Sequence, residues 1–360
     1  MDKAIYQNFD RLRLPLMLMV VFIHAKFMVN GVNTVTPYDV VSHFFTSVIS
    51  QVAVPLFFFI SGCLYFRDYS DFTINTYWKK QRRRLNTLVI PFLLWNTVFW
   101  LLFTGLKHIL PSFTNGGIPV ITEASLQDVI WVFWGNPTGG PIDFPLWFIR
   151  DLITVTFLSP LLFFLLFKFK AGYISLIVIA MLWIFACPIP FLGNNICTCV
   201  FFFSLGGYLN KLLSSEFVLK RLQKFCMGGG KLLIGIFFFL GVISTLNHYL
   251  WDNFIVSYIL NNMLILEGIA AVYYMVNSNS MLFDKIKDYI SGDCVFFIYA
   301  THGFLITVIK RAIERFTIDS QLVLILLYFA SVFVTVAICV MLYKLLKALS
   351  PQTMTYLTGR

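Results

Sequence analysis

Six ionisable side chains lie in stretches otherwise apolar enough to enter a membrane: Arg13, His24, Arg150, Asp151, Glu267 and His302. Each costs about 2.5–3.5 kcal/mol to insert, so each asks for a partner or a task. Arg13 and His24 are eleven residues apart. On a continuous helix that spacing puts them on one stripe, about 16 Å apart along the axis, where one ligand could touch both. A guanidinium can bind phosphate or polarise an acyl oxygen without losing its charge. A neutral imidazole can take the proton from a hydroxyl. A snorkelling arginine and a hydrogen-bonded core histidine would explain the same pair without chemistry. His24 and Asp151 fall at similar depth, so the carboxylate could hold the imidazole if their segments touch. Arg150 could pair with Asp151, hold a ligand at the outer face, or serve as a boundary charge beside Trp147. Glu267 and His302 both fall near mid-membrane and could pair with each other in a structural role, or take part in catalysis.

The elements that must position these groups follow from composition. Of 360 residues, 59% are hydrophobic and 12% charged, with mean hydropathy +0.80. Soluble globular proteins carry about 25% charged residues, so the chain is read as an integral membrane protein. Disorder, a disulfide scaffold and collagen each require charge, cysteine density or a glycine period that is missing. The seven cysteines are an odd number scattered through apolar runs. Cys197-x-Cys199 lacks a second ligand pair, so no metal is assigned. The formal charge of +10 does not point to nucleic acid. The basic residues sit in short connections, with neither a basic domain nor an aromatic-basic reader motif.

Ten apolar runs are long enough to read as spans, at about 13–30, 42–66, 88–106, 146–167, 172–187, 196–212, 232–249, 254–276, 292–310 and 321–346. They are continuously apolar rather than alternating, which gives an all-α fold: one polytopic bundle of about ten transmembrane helices over a single domain, 1–360. The first run has no convincing small-x-small cleavage site and is read as retained. With the N-terminus inside, 21 of the 27 Lys and Arg residues fall in inside segments, which makes both termini cytoplasmic under the positive-inside rule. Lys310, Arg311 and Arg315 fall on the wrong side. The longest connection, about 107–145, faces outward and carries an amphipathic piece, Leu126 to Trp134, suited to the interface.

These residues resemble a known family. Phe9-Asp10-Arg11-Leu12-Arg13-Leu14-Pro15 followed by Met19-Val20-Val21-Phe22-Ile23-His24-Ala25 is similar to the first-helix motif of the acyltransferase-3 family, the integral membrane O-acyltransferases of bacterial surface polysaccharides. In the right order there follow Val54-Pro55-Leu56-Phe57-Phe58-Phe59-Ile60-Ser61-Gly62, Arg82-Arg83-Arg84-Leu85 leading to Ile90-Pro91-Phe92, Leu146-Trp147-Phe148-Ile149-Arg150-Asp151-Leu152, and Phe297-Ile298-Tyr299-Ala300-Thr301-His302-Gly303. Two departures stand out. Asn86 and Thr87 occupy the place where the family often has a further basic residue, and the extracytoplasmic hydrolase-like domain of larger members is absent from the sequence.

The resemblance implies transfer of an acyl group, most often acetyl from acetyl-CoA, to a sugar hydroxyl. His24 is then the general base, with Arg13 gripping the donor, and Asp151 joins the catalytic group if its segment brings the carboxylate to the imidazole. Arg82, Arg83 and Arg84 would attract the negative charges of CoA at a cytoplasmic mouth, though the triple also suits simple topology. Ser61, beside Gly62 and with Pro55, would shape a wall for the donor arm, as ordinary helix packing would also require. Trp147, Arg150, Glu267 and His302 would meet the sugar. The expected partners are acyl-CoA, a saccharide or polysaccharide acceptor, membrane lipid and polysaccharide-assembly proteins, and the expected location is a bacterial inner or plasma membrane. A transporter or flippase of a saccharide precursor, lined by Arg13, Glu267 and His302, is the rival reading.

Overall fold

The computed structural model describes residues 3–29, 34–109, 119–135, 140–186, 195–213 and 216–359, and every element among them is helical. In chain order the α-helices are α1 (Lys3–Ile23), α2 (Pro37–His43), α3 (Ala53–Tyr65), α4 (Ile74–Arg84), α5 (Ile90–Ile109), α6 (Leu126–Phe133), α7 (Trp147–Phe157) and α8 (Ser159–Phe163). They continue with α9 (Gly172–Ile184), α10 (Ile196–Leu213), α11 (Glu216–Leu246), α12 (Phe254–Ser278), α13 (Ser280–Tyr289), α14 (Gly292–Ile313), α15 (Gln321–Leu349) and α16 (Pro351–Thr358). Single π-helical turns at Phe44–Val48, Leu85–Val89, Phe164–Lys168 and Asn247–Trp251 extend or join them.

The starts of several helices are written in the sequence. Thr36, Thr73 and Ser125 each cap the backbone N–H three residues on, and the N3 side chain, Asp39, Thr76 or Asp128, returns the bond. These reciprocal bonds satisfy donors that a helix N-terminus otherwise leaves open. The amphipathic piece expected at Leu126 is thus a capped helix, α6, with Leu126 and Ile130 exposed and Val132 buried.

Among the described residues, six helical stretches are long and apolar enough to cross a membrane: Pro37–Tyr65, Ile74–Ile109, Gly229–Trp251, Phe254–Ser278, Gly292–Ile313 and Gln321–Leu349. A seventh arises if Phe144–Phe157 and Ser159–Lys168, bent by 60°, make one broken span. The sequence drew ten. The difference lies in length and charge. Helix α9 has 13 residues, about 20 Å of helix against a hydrocarbon core of about 30 Å. Helix α1 starts at Lys3 rather than at residue 13 and carries Asp10, Arg11 and Arg13 within it. Helix α15 shows the pattern of a span: Leu324, Tyr328, Ser331 with Val332, Thr335, Cys339 and Tyr343 are buried, recurring once per helical turn. Leu322, Leu326, Phe333, Met341 and Leu345 are exposed, the surface that lipid would solvate.

The described residues form two compact units, Met1–Tyr69 with Phe202–Tyr343, and Ser70–Phe201 with Lys344–Arg360. In the first, α1 packs against α3, α12, α13, α14 and the segment Phe44–Val52. Its buried face is Phe9, Leu12, Leu16, Met17, Val20 and Val21. Glycine allows the closest approach, between α3 and α10. A Cβ on Gly62 would fall on the Phe203 carbonyl, and one on Gly206 on the Phe59 carbonyl. Asn210 Nδ2 donates to Cys63 O at 2.7 Å across the same contact. In the second unit, α5 packs against α16, with Trp95 Nε1 donating to Leu357 O at 2.9 Å.

Candidate functional site

Helix α1 ends at Ile23, so His24 occupies the turn after the helix. Its N–H bonds back to Val21 O at 3.1 Å, and the Ala25 N–H bonds to Phe22 O at 3.2 Å. Such i→i−3 bonds tighten the last turn and point the following side chain away from the helical path. The ring of His24 lies against that of His302, with centroids 5.5 Å apart and planes tilted by 36°. His302 sits in the middle of α14 and is fully buried.

The hydrogen bonds of His302 fix its chemistry. Nδ1 meets two carbonyl oxygens of its own helix, Tyr299 O at 2.8 Å and Ile298 O at 3.1 Å. Carbonyl oxygens only accept, so Nδ1 carries the proton and Nε2 of the neutral ring carries the lone pair. Nε2 is buried and has no hydrogen-bond partner in the structure. A buried acceptor with nothing to accept from is rare and costly. Next to a second imidazole, it makes a two-ring site able to take up a proton.

The carboxylates are placed as follows. Asp151 Oδ1 accepts from Arg150 Nε at 2.9 Å, the pairing of adjacent residues that the sequence offered as one alternative, and its Oδ2 has no hydrogen-bond partner. Glu267 does not pair with His302, since both of its oxygens are without a hydrogen-bond partner. The reason is packing: α1 lies against α14 and brings His24 to His302.

Arg13 lies within α1, its Nη2 2.8 Å from Asp10 Oδ1 one turn earlier. Its neighbour Arg11 grips Asp284 of α13, whereas the His24 end of α1 meets α14. There Lys310 Nζ donates to His24 O at 3.1 Å. Helices α1 and α14 therefore run parallel, and the α12–α13 connection shares a side with the start of α1. In the sequence, the one signal that marks Lys310 is its departure from the distribution of the other basic residues.

In the second unit, Arg150 is 3% exposed and Asp151 wholly buried. Arg150 Nη1 also donates to Trp134 O at 2.6 Å, and its guanidinium lies 6.0 Å from the Trp134 ring. Trp147, half-buried, opens the same helix. Arg82, Arg83 and Arg84 end α4, with Arg82 and Arg83 exposed. Buried Gln81 donates to Thr156 O at 2.7 Å, so the arginine triple lies near the C-terminal end of α7 and Arg150 near its start. Asp143, buried one turn before α7, has an Oδ2 without a hydrogen-bond partner, while its N–H is held by Asn96. Neither Asp143 nor Asn96 was visible as a site residue in the sequence. Ser61 lies on α3 beside Gly62, where α3 meets α10.

An all-helical, multi-pass membrane protein in which a half-buried imidazole, His24, faces a buried one, His302, is what this fold and these side chains define. The sequence model of the acyltransferase-3 family, described as an acyltransferase domain, matches residues 6–344, and the chain belongs to that family. Succinoglycan biosynthesis protein ExoH of Rhizobium meliloti (strain 1021) is 26% identical over 375 residues, covering 100% of this chain and 93% of that protein. No solved structure matches the chain at a significant level.

Proposed function

We propose that the chain is a membrane-bound O-acyltransferase that moves an acyl group, acetyl in the first instance, from cytoplasmic acyl-CoA to a sugar hydroxyl of a cell-surface polysaccharide or its precursor. The observation that carries this reading is the facing pair of imidazoles, His24 and His302, in a chain of the acyltransferase-3 family. The resemblance to a succinoglycan biosynthesis protein supports a polysaccharide as the acceptor.

The chemistry asks for little more than this pair. A neutral His24 takes the proton of the sugar hydroxyl as its oxygen attacks the thioester carbonyl. The tetrahedral intermediate collapses, the carbon–sulfur bond breaks, and the imidazolium returns the proton to the departing thiolate. In this reading the lone pair of His302 Nε2 stabilises the imidazolium while it exists, because two rings this close hold one proton more readily than two. Arg13 serves the donor.

Purified protein in liposomes with labelled acetyl-CoA tests the reading. Transfer of label to unacylated surface glycan is expected, with loss in His24→Ala and a fall of about 10²-fold in His302→Gln, each at normal protein level. Retained transfer in His24→Ala would remove His24 as the base. Saccharide flux without acyl transfer would establish the transporter instead. In cells, mass spectrometry of surface glycans with and without the protein should differ by one acyl group.

A further inference from the structure

Lys310 has no task in the reaction above. The segment from Phe22 to Met28, which presents His24, is held from four sides. Thr46 Oγ1 donates to Phe22 O at 3.0 Å, and Lys310 Nζ donates to His24 O at 3.1 Å. Tyr38 Oη donates to Phe27 O at 2.9 Å and accepts from its N–H at 3.0 Å. Glu314 Oε1 accepts from the Met28 N–H at 2.9 Å. The last carbonyls of a helix have no partner within it, and a cation suits that end of the dipole. Lys310 and Glu314 are one turn apart on α14, so one turn grips the segment through a carbonyl and an N–H.

Lys310 therefore acts on His24 in two ways. It fixes the backbone of the residue whose ring faces His302, and it brings a positive charge to that ring in surroundings where charge is poorly screened. His302 is the second titratable group on α14 that acts on His24, and the Glu314 carboxylate, one turn from Lys310, interacts with the ammonium itself. Lys26 is paired with Asp39 at 3.6 Å. The segment Phe44–Val52 has no ionisable side chain, α3 contributes Cys63 and Tyr65, and the carboxylate of α12 is Glu267. The charges of α13 lie toward the Arg11 end of α1.

We propose that Lys310 is a positioning residue for acyl transfer, its ammonium anchoring the backbone of His24 and setting a positive charge beside the imidazole that acts as the base. The proposal rests on the reading of His24 given above. Its test is the pH–rate profile in liposomes with acetyl-CoA and unacylated surface glycan. Lys310→Met should lower kcat roughly tenfold with little change in KM for acetyl-CoA. The acid limb should move to higher pH by roughly one unit, because a lost positive neighbour makes an imidazole easier to protonate. Lys310→Arg should restore both. Lys310→Gln, which keeps a donor without the charge, should shift the limb with a smaller loss of rate. Thr46→Val frees the same helix end without touching charge, so it should slow the reaction and leave the profile in place. A Gln or Met variant with the wild-type profile, or a Thr46 variant that shifts it equally, would overturn the role of Lys310. Transfer that survives His24→Ala would overturn the underlying reading instead, whatever the Lys310 variants do.

Discussion

Arg11 grips Asp284 with two parallel bonds, Nε to Oδ1 at 2.7 Å and Nη2 to Oδ2 at 2.8 Å. Its remaining nitrogen, Nη1, donates to Asn8 Oδ1 at 2.7 Å and reaches Asn277 Oδ1 at 3.4 Å, while Asn8 Nδ2 donates to Tyr273 Oη at 3.1 Å. A planar guanidinium is suited to such a fork, and lysine could not reproduce it. One side chain thereby ties the start of α1 to α12 and α13, at the end opposite to His24.

The Arg11 hydrogen bond holds the Asp284 carboxyl below the ordinary carboxylate range. A lowered folded value means that the contribution to stability is present above the unfolded value near pH 4 and is lost as pH falls through the folded one. In detergent, Asp284→Asn should therefore unfold at a lower temperature than the parent at pH 7, and the gap should close below about pH 4. Thermal unfolding from pH 7 to pH 3 checks this, and a gap of constant size would show that the ion pair is not its source.

Gly62 and Gly206 let α3 and α10 approach until each backbone occupies the space of the other's Cβ. Alanine at either position must push the helices apart, at about 1–3 kcal/mol. Gly235 on α11 has open space where a Cβ would go, so Gly235→Ala should be neutral or slightly stabilising. Unfolding midpoints of the three variants decide the matter, and equal midpoints would refute the packing argument.

The buried Arg150–Asp151 pair should be sensitive to which partner is removed. Arg150→Met strands a buried carboxylate and the Trp134 carbonyl, a loss of about 3–5 kcal/mol. Asp151→Asn keeps an acceptor for Nε and should cost less. The folded yield by size-exclusion chromatography should rank the parent above Asp151→Asn and that above Arg150→Met. A fully folded Arg150→Met protein without activity would instead make Arg150 a ligand-binding group rather than a structural one.

Much of this was legible in the chain. The high apolar content and continuous runs dictate membrane helices, because such a surface cannot be hidden from water. The landmarks from Arg13 to His302 were enough to point to the family, and the pairing of Arg150 with Asp151 was among the alternatives that adjacency offers. Span lengths were less legible. Apolarity continues across turns, so a run such as 172–187 reads longer than the helix that forms in it.

Sequence by itself determined which polar groups must find a partner, since an ionisable side chain in lipid is costly wherever the helix goes. Only tertiary structure decided which partner each one found. His24 and His302 are separated by most of the chain, and they meet because α1 packs beside α14, a contact set by the shapes of two buried helix faces rather than by either residue. The same packing leaves Glu267 without His302 and turns Lys310, a misplaced charge by pattern, into the cap of the helix that presents His24.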